Sequence, residues 1–562
     1  MRTESGALPS SGEPFRLPRV LEILLALVVL LELIAPFVSN TYGVDGGYHV
    51  SWIGEFTSLL ARGVYLPRWI PEAYSGFGAP SFYFYPPLTY YIAYVFRAAT
   101  GVTNSITLFQ MTGLFATVAS FFTVRTLLSA LGSEGYQKNI AASLYAFAPL
   151  RIAELYSRSN LSVHVGYIFL PLVWYGIVVI LQSQRVTRLR GILILAFSLA
   201  LLAITNIPLL FVTLTSIGVA AILFYKRITR SVMEDVALAG LLVIALSAFH
   251  FFTVLSYMPY SNLTGLLVIR PAYLLTDLLH GASMAAAYHV FLVFIAIVII
   301  GGAFTKLRRS KRGIDPQERT VMKLGLAVAS LVVFLSLPVV SVPFWRFLPP
   351  LPLIQDSWRF YSYGLLFVVA MVAIASTPTM RKASRAVVWI WVLGALGPML
   401  LVVFHFHLYP HFERPSDIAT EYLTNHAVSR DSVVLTMKRH QNDVPALASL
   451  SGNERVELAA QSLTSETFEA TLKSPRTVTF HRFYWPAWRL YSNGQELKTW
   501  PDSIGRATAD LPAGNYEAIW KLERSPLEQA GLWVSVLTVA GIIAIMAAGR
   551  VRRRGMAKGA QP

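Results

Sequence analysis

Asp45 stands a few residues after the first long apolar run, in the stretch NTYGVDGGYHVSWIGEF. A carboxylate at the mouth of an apolar helix has two common uses. It can cap the next helix, here expected over His49–Leu60, because aspartate is a favoured N-cap. It can also act as a base that takes a proton from a hydroxyl at the membrane surface. Both readings stand at this level. The same loop brings His49, Glu55, Arg62, Arg68 and Glu72. Three later loops repeat the pairing of acid and arginine. RIAELYSRSN (151–160) carries Arg151, Glu154 and Arg158, a further loop carries Arg270, Asp277 and His280, and SVPFWRFLPPLPLIQDSWRFYSYG (341–364) carries Arg346, Asp356, Trp358 and Arg359.

Such a set suits one kind of chemistry. A carboxylate can accept the proton of an incoming hydroxyl. Arginines can grip a phosphate bidentately and stabilise it as a leaving group. Trp52, Trp69, Tyr83, Tyr85 and Trp358 can stack on sugar rings or line a groove for a lipid chain. Sugar transfer from a polyprenyl-phosphate carrier uses all three at a membrane interface.

The elements that must position these residues follow from composition. The 562 residues are 55% hydrophobic and 14% charged, with mean hydropathy +0.54. Those values fit a polytopic helical membrane protein. Helical crossing of the bilayer takes about 20 apolar residues. Runs near 20–38, 105–130, 138–150, 161–181, 191–206, 208–225, 234–257, 284–304, 320–338, 360–378, 386–404 and 531–549 give about 12 transmembrane helices.

The net charge of +17 sits mainly in short loops between these runs, at Arg185/Arg188/Arg190, Lys226/Arg227/Arg230, Lys306–Arg312, Arg381/Lys382/Arg385 and Arg550–Arg554. Basic loops of this kind mark the cytoplasmic side, and no basic-aromatic stripe of a nucleic-acid binder is present. All of them face inward if PPLTYYIAYVFRAATG (86–101) lies on the surface without crossing. Both termini are then cytoplasmic, and 39–104 is one long external loop. The protein is expected in a membrane, with lipids around it.

The expected order is a cytoplasmic tail (1–19), a transmembrane domain (20–404), an extracytoplasmic β-sandwich (405–530), a final span (531–549) and a basic cytoplasmic tail (550–562). The sandwich region holds 15 of the 30 acidic residues. Its runs SVVLTMKR, TFEATLKS, RTVTFHRFYW and YEAIWKLER alternate as strands do, and SNGQ and LPAGN supply turns.

The absence of cysteine excludes disulfides, thiolate metal sites and cysteine nucleophiles. HFHLYPHF (405–412) has the composition of a metal site, but its rings also suit the level where a span leaves the bilayer. Glu32 lies deep in the first run and needs a partner or a polar cavity. The sequons NLS (160–162) and NLT (262–264) matter only in a eukaryotic secretory context.

Longer patterns resemble a family. VDGGYHVSWIGEF, G-x-x-x-P-R-W at 63–69 and G-x-G-x-P-x-F-x-F-Y-P-P-L at 76–88 resemble the first external loop of bacterial "6-pyruvoyl-tetrahydropterin synthase-related" membrane proteins. Those proteins are similar to the YfhO-like members of the GT-C glycosyltransferase superfamily. FAPLRIAELYSRS (147–159), PLIQDSWRF (352–360) and FYWPAWRLYSNGQEL with LPAGNY resemble the next outer loop, a Q-F-P-W-R segment and the terminal β-domain. Asp356-Ser357 stands where the family has Phe-Pro, and Ala487 where it has Gly. Pterin chemistry itself does not fit, since it uses a zinc histidine cluster and usually a cysteine.

The resemblance implies a GT-C-like fold and inverting transfer from a lipid-phosphate sugar to a cell-envelope glycan or lipid. Asp45 would be the base, and Glu154 would support it or a divalent metal ion. His49, Arg68, Tyr85, Arg158, Trp358 and Arg359 are the candidate substrate contacts. The rival readings are a transporter or flippase of lipid-linked sugars and a noncatalytic scaffold of envelope assembly. An enzyme requires Asp45, Glu154 and Arg359 to converge on one place.

Overall fold

Long apolar runs can satisfy their backbone groups in hydrocarbon only as helices or closed barrels, and this chain builds helices. The computed structural model describes residues 15–38, 45–74, 76–182, 185–261, 284–309, 316–336, 343–345, 347, 351–354, 357–403, 454–503 and 505–559.

The helices are α1 (Arg19–Val38), α2 (Gly46–Ala61), α3 (Ser81–Phe84), α4 (Leu88–Thr100), α5 (Ser105–Ala130), α6 (Gly135–Ala146), α7 (Pro149–Ile152), α8 (Leu161–Gly166) and α9 (Phe169–Gln182). They continue as α10 (Arg185–Ala203), α11 (Ile207–Leu223), α12 (Arg230–Tyr257), α13 (Met284–Arg309), α14 (Pro316–Ser336), α15 (Tyr361–Ala373), α16 (Pro378–Val403) and α17 (Pro526–Gly559). Each expected run is met by a helix. Among the described residues, six segments are long and apolar enough to cross a membrane: α1, α5, α8 with α9, α12, α16 and α17. The chain is thus a multi-pass membrane protein with a C-terminal sheet domain.

Twelve crossings are not confirmed among the described residues, and several of the other expected runs form helices that are short or open on charges. α6 has 12 residues and α15 has 13. α10 opens on Arg185, Arg188 and Arg190, and α14 carries Glu318, Arg319 and Lys323. PPLTYYIAYVFRAATG forms the short α4 as expected, closed by Gly101 at φ +74°.

Asparagine side chains start three of these helices. Asn104 accepts from Thr107 N–H at 3.0 Å, Asn160 from Val163 N–H at 3.2 Å and Asn206 from Leu209 N–H at 3.0 Å. Small residues let helices approach where a larger side chain would not fit. A Cβ on Gly176 of α9 would lie 2.8 Å from the backbone nitrogen of Leu195 in α10, and one on Gly531 of α17 would lie 2.5 Å from the carbonyl oxygen of Ala248 in α12.

The C-terminal domain has strands β1 (Arg455–Gln461), β2 (Ser465–Leu472), β3 (Arg476–Phe483), β4 (Trp488–Ser492), β5 (Gln495–Leu497), β6 (Thr499–Pro501), β7 (Arg506–Leu511) and β8 (Gly514–Leu522). They make a five-stranded sheet of order β1-β2-β8-β4-β5 and a three-stranded sheet of order β3-β7-β6. Leu472, Val478, Phe480, Leu490, Leu511 and Trp520 fill one core. Asn493 and Gly494 both have positive φ, as the tight β4–β5 hairpin requires. LPAGN instead links strands of different sheets. SVVLTMKR and HFHLYPHF lie outside the described residues.

The sheet domain is not an independent appendage. Its core continues into Trp69, Tyr83 and Phe84 of the first long loop and Tyr257 of α12. Phe483 N–H donates to the Phe77 carbonyl at 2.9 Å. The Gly-rich run explains the docking: Gly78 sits at φ +79°, and a Cβ there would stand 2.3 Å from the Trp69 indole. That indole in turn packs edge-on against Trp488, with centroids 6.1 Å apart.

Candidate functional site

Asp45 immediately precedes α2, yet its side chain makes no capping hydrogen bond. Its Oδ2 accepts instead from the side-chain amide of Asn160 at 3.1 Å. Asp45 N–H donates to the Arg158 carbonyl at 2.9 Å, and its own carbonyl accepts from His49 N–H at 3.2 Å. The capping reading of Asp45 therefore gives way to a carboxylate held from a second loop.

That second loop is shaped for the task. α7 runs into a π turn over Ala153–Ser157, and Ser159 follows in the left-handed region at φ +56°. Ser159 is buried. A left-handed non-glycine residue costs about 1–3 kcal/mol, and such residues and π turns are both frequent at functional sites. Here they bring Asn160 N–H back onto the Glu154 carbonyl at 2.9 Å. Asn160 then serves two sides: its oxygen caps α8, and its nitrogen holds Asp45.

Tyr85 joins the first loop to the same place. Its hydroxyl bonds Ser162 Oγ at 2.6 Å, and it lies within electrostatic reach of Asp45 and Arg359. Burial pushes the Tyr85 phenol up to about 12; the Asp45 carboxylate adds to the rise, while the Ser162 bond and the Arg359 charge oppose it. Tyr85 thus stays a hydroxyl donor at neutral pH. Glu154 is buried, and it shares Tyr167 as an electrostatic neighbour with Arg151 and Arg359. Arg359 closes a short 3-10 turn (Ser357–Phe360) and is buried at the head of α15. Arg359 is thus an electrostatic neighbour of Tyr85 together with Asp45, and of Tyr167 together with Glu154, while Arg158 meets Asp45 through its backbone carbonyl.

A second polar layer lies next to it. The buried Arg151 guanidinium contacts His164 Nε2 at 3.2 Å and sits 5.7 and 5.0 Å from the Tyr145 and Tyr167 ring centroids. Thr117 Oγ1 also bonds His164 Nε2, at 2.9 Å. Glu32 of α1 is in electrostatic reach of Arg151, which supplies the partner that a carboxylate in a span requires.

Several expected substrate contacts are engaged by other protein groups. His49 is enclosed by Trp52, Tyr85 and Tyr90, and its Nδ1 bonds the Tyr90 hydroxyl at 3.0 Å. Burial pushes its imidazole down to about 3, so it is neutral and packs the site from behind. Arg68 donates to the carbonyls of Phe82 and Phe249 at 3.1 and 2.7 Å and to Thr253 Oγ1 at 3.1 Å, and its Nε stands 3.6 Å from Glu528. None of these partners belongs to the Asp45 cluster, and Arg68 ties the first loop to α12 and α17. The rings of Trp52, Trp69 and Tyr83 are buried against other protein rings rather than open to a ligand. Trp358 lies in the turn before α15, and Arg270, Asp277, His280, Arg346 and Asp356 are outside the described residues.

Asn160 is the site residue that the sequence reading passed over. Its signal was present: an asparagine directly before an apolar helical run is a start signature, and SRSNLSVH has one. Among the described residues, no three acids or histidines stand together as a metal site.

No family model matches the chain, and no curated protein does. Several solved structures show a loose likeness, among them the following three. The arabinofuranosyltransferase AftD from Mycobacteria has a TM-score of 0.43 and 18% identity over 71% of this chain and 28% of that one. An oligosaccharyltransferase of Archaeoglobus fulgidus has a TM-score of 0.44 and 10% identity over 73% of this chain and 58% of that one. ArnT from Cupriavidus metallidurans, bound to undecaprenyl phosphate, has a TM-score of 0.30 and 11% identity over 63% of this chain and 77% of that one. The chain spans little more than a quarter of AftD. Likenesses this loose assign no residue role, and the labels "pyruvoyl-tetrahydropterin synthase-related" and YfhO-like find no match among them.

Proposed function

We propose that the chain is a membrane glycosyltransferase of GT-C type that moves a sugar from a polyprenyl-phosphate donor to a cell-envelope glycan or lipid on the outer face of a bacterial cytoplasmic membrane. The observation that carries this reading is the Asp45 carboxylate, held by Asn160 instead of capping its own helix. It is supported by the Arg158 carbonyl that accepts from Asp45 N–H and by Arg359 as a second electrostatic neighbour of Tyr85.

In the proposed reaction the acceptor hydroxyl gives its proton to Asp45 as its oxygen bonds to the anomeric carbon. The bond from that carbon to the phosphate oxygen breaks on the opposite face, with inversion. The electron pair leaves with polyprenyl phosphate, which Arg158 and Arg359 stabilise. Tyr85 contributes a hydroxyl donor beside them.

One observation favours a second reading. Glu32, Arg151 and His164 form a buried ionisable layer inside the helices, and such layers also mark transport pathways. A single experiment separates the two. Inside-out and right-side-out vesicles holding the protein receive a panel of labelled polyprenyl-phosphate sugars with a cell-envelope acceptor. Label covalently joined to acceptor supports transfer. Label that only changes leaflet, still on lipid, supports a flippase, and neither event with any donor supports a scaffold.

A further inference from the structure

We propose that Asn160 is a positioning residue that fixes the rotamer of Asp45 and holds its carboxylate in the ionised form, beyond its role as the cap of α8.

The geometry supports two separable duties. Oδ1 accepts from Val163 N–H at 3.2 Å and Nδ2 donates to Asp45 Oδ2 at 3.1 Å. The amide cannot rotate to improve one bond without losing the other, so the start of α8 sets the direction of the Nδ2–H that meets Asp45. The backbone of Asn160 is itself fixed, since its N–H donates to the Glu154 carbonyl at 2.9 Å. Asp45 is anchored from the same loop by its own N–H on Arg158. Two loops distant in sequence therefore share one hydrogen-bonded frame.

An amide N–H pointed at a carboxylate favours the charged form. Titratable and charged groups about Asp45 include His49 on its own helix, Tyr85 and Tyr90 of the first loop, Arg158, whose carbonyl accepts from Asp45 N–H, and Arg359 across Tyr85, with Glu154 and Arg359 also neighbours of Tyr167. His49 is neutral, and both phenols stay protonated because burial raises them. These groups are unaltered when Asn160 alone is changed.

Serine separates the two duties. It caps helices about as well as asparagine, but it has no amide to reach Asp45. Glycine, a cap that costs only a few tenths of a kcal/mol more, is the second variant. The protonated-carboxyl band of Asp45 is followed by infrared difference spectroscopy against pH in the purified full chain, assigned by its loss in Asp45→Asn. Asn160→Ser and Asn160→Gly are expected to raise the Asp45 midpoint by about one pH unit. A midpoint unchanged in both variants would overturn the proposal and leave Asn160 a cap only.

The kinetic side rests on the transferase reading. There Asn160→Ser is expected to lower kcat about tenfold with KM near wild type, and the acid limb of the pH profile to move up with the infrared midpoint. Wild-type kcat in Asn160→Ser would overturn the positioning role. Wild type inactive with every donor would sink the transferase reading alone, because the infrared midpoint still decides the role of Asn160.

Discussion

Replacing Arg68 tests whether it is a structural tie or a substrate contact. Its Nε stands 3.6 Å from Glu528, and both side chains are nearly sealed from solvent, at 6% and 3% exposure. At that separation two unit charges attract by about 4–5 kcal/mol for an effective dielectric near 20. Removing one partner of a buried pair costs about 3–5 kcal/mol, because the other charge is left uncompensated. Arg68→Met also strips donors from the carbonyls of Phe82 and Phe249. Glu528→Leu removes the stranded acid, so the double variant should recover more than half of the loss. Unfolding in mixed micelles of increasing dodecyl sulfate content, followed by tryptophan emission, reads all four proteins. The reasoning fails if Arg68→Met keeps wild-type stability, or if the double variant is no more stable than the single one.

Other expectations follow from the same contacts. Gly78→Ala places a methyl against the Trp69 indole in a left-handed backbone, so it should free the sheet domain and expose the 454–525 region to limited proteolysis; Gly76→Ala, with only the backbone cost, should do so far less. His49 carries a folded-state value near 3, below its ordinary 6.5. The unfolded chain therefore binds the extra proton first, and stability present above pH 6.5 falls as pH drops toward 3, by up to about 1.4 kcal/mol per pH unit from this residue. His49→Phe should flatten that part of a stability-versus-pH curve. Under the transferase reading, Arg359→Ala should lower kcat/KM about 100-fold, with Arg359→Lys recovering only part because a point charge cannot grip phosphate bidentately. Steady-state transfer kinetics check this.

Much of the helical layout was legible because a bilayer demands long apolar runs. The run at 105–130 coincides with α5, and the Pro-Pro and tyrosine signal correctly marked α4 as a short helix. The expected twelve crossings are not confirmed among the described residues, where six segments have the length and apolarity to cross, and apolar composition alone does not distinguish a crossing helix from short ones such as α6 and α15. Asp45, Glu154 and Arg359 could be named from charges in loops beside apolar runs. The hold of Asn160 on Asp45 could not be read, because it depends on a π turn and a left-handed Ser159 that no periodicity encodes. Arg68 and His49 show the opposite limit. Residue type offers a cation or a ligand at either position, and only burial reveals that one is spent on Glu528 and the other on Tyr90.

The most direct test of the proposed chemistry compares wild type with Asp45→Asn in membranes supplied with labelled polyprenyl-phosphate sugars and cell-envelope acceptor. Asparagine keeps the size of Asp45 and cannot take a proton. Transfer of label to acceptor by wild type, with at least a hundredfold loss in a well-folded Asp45→Asn, is the predicted result. Equal transfer by both proteins would contradict the assignment of Asp45 as the base.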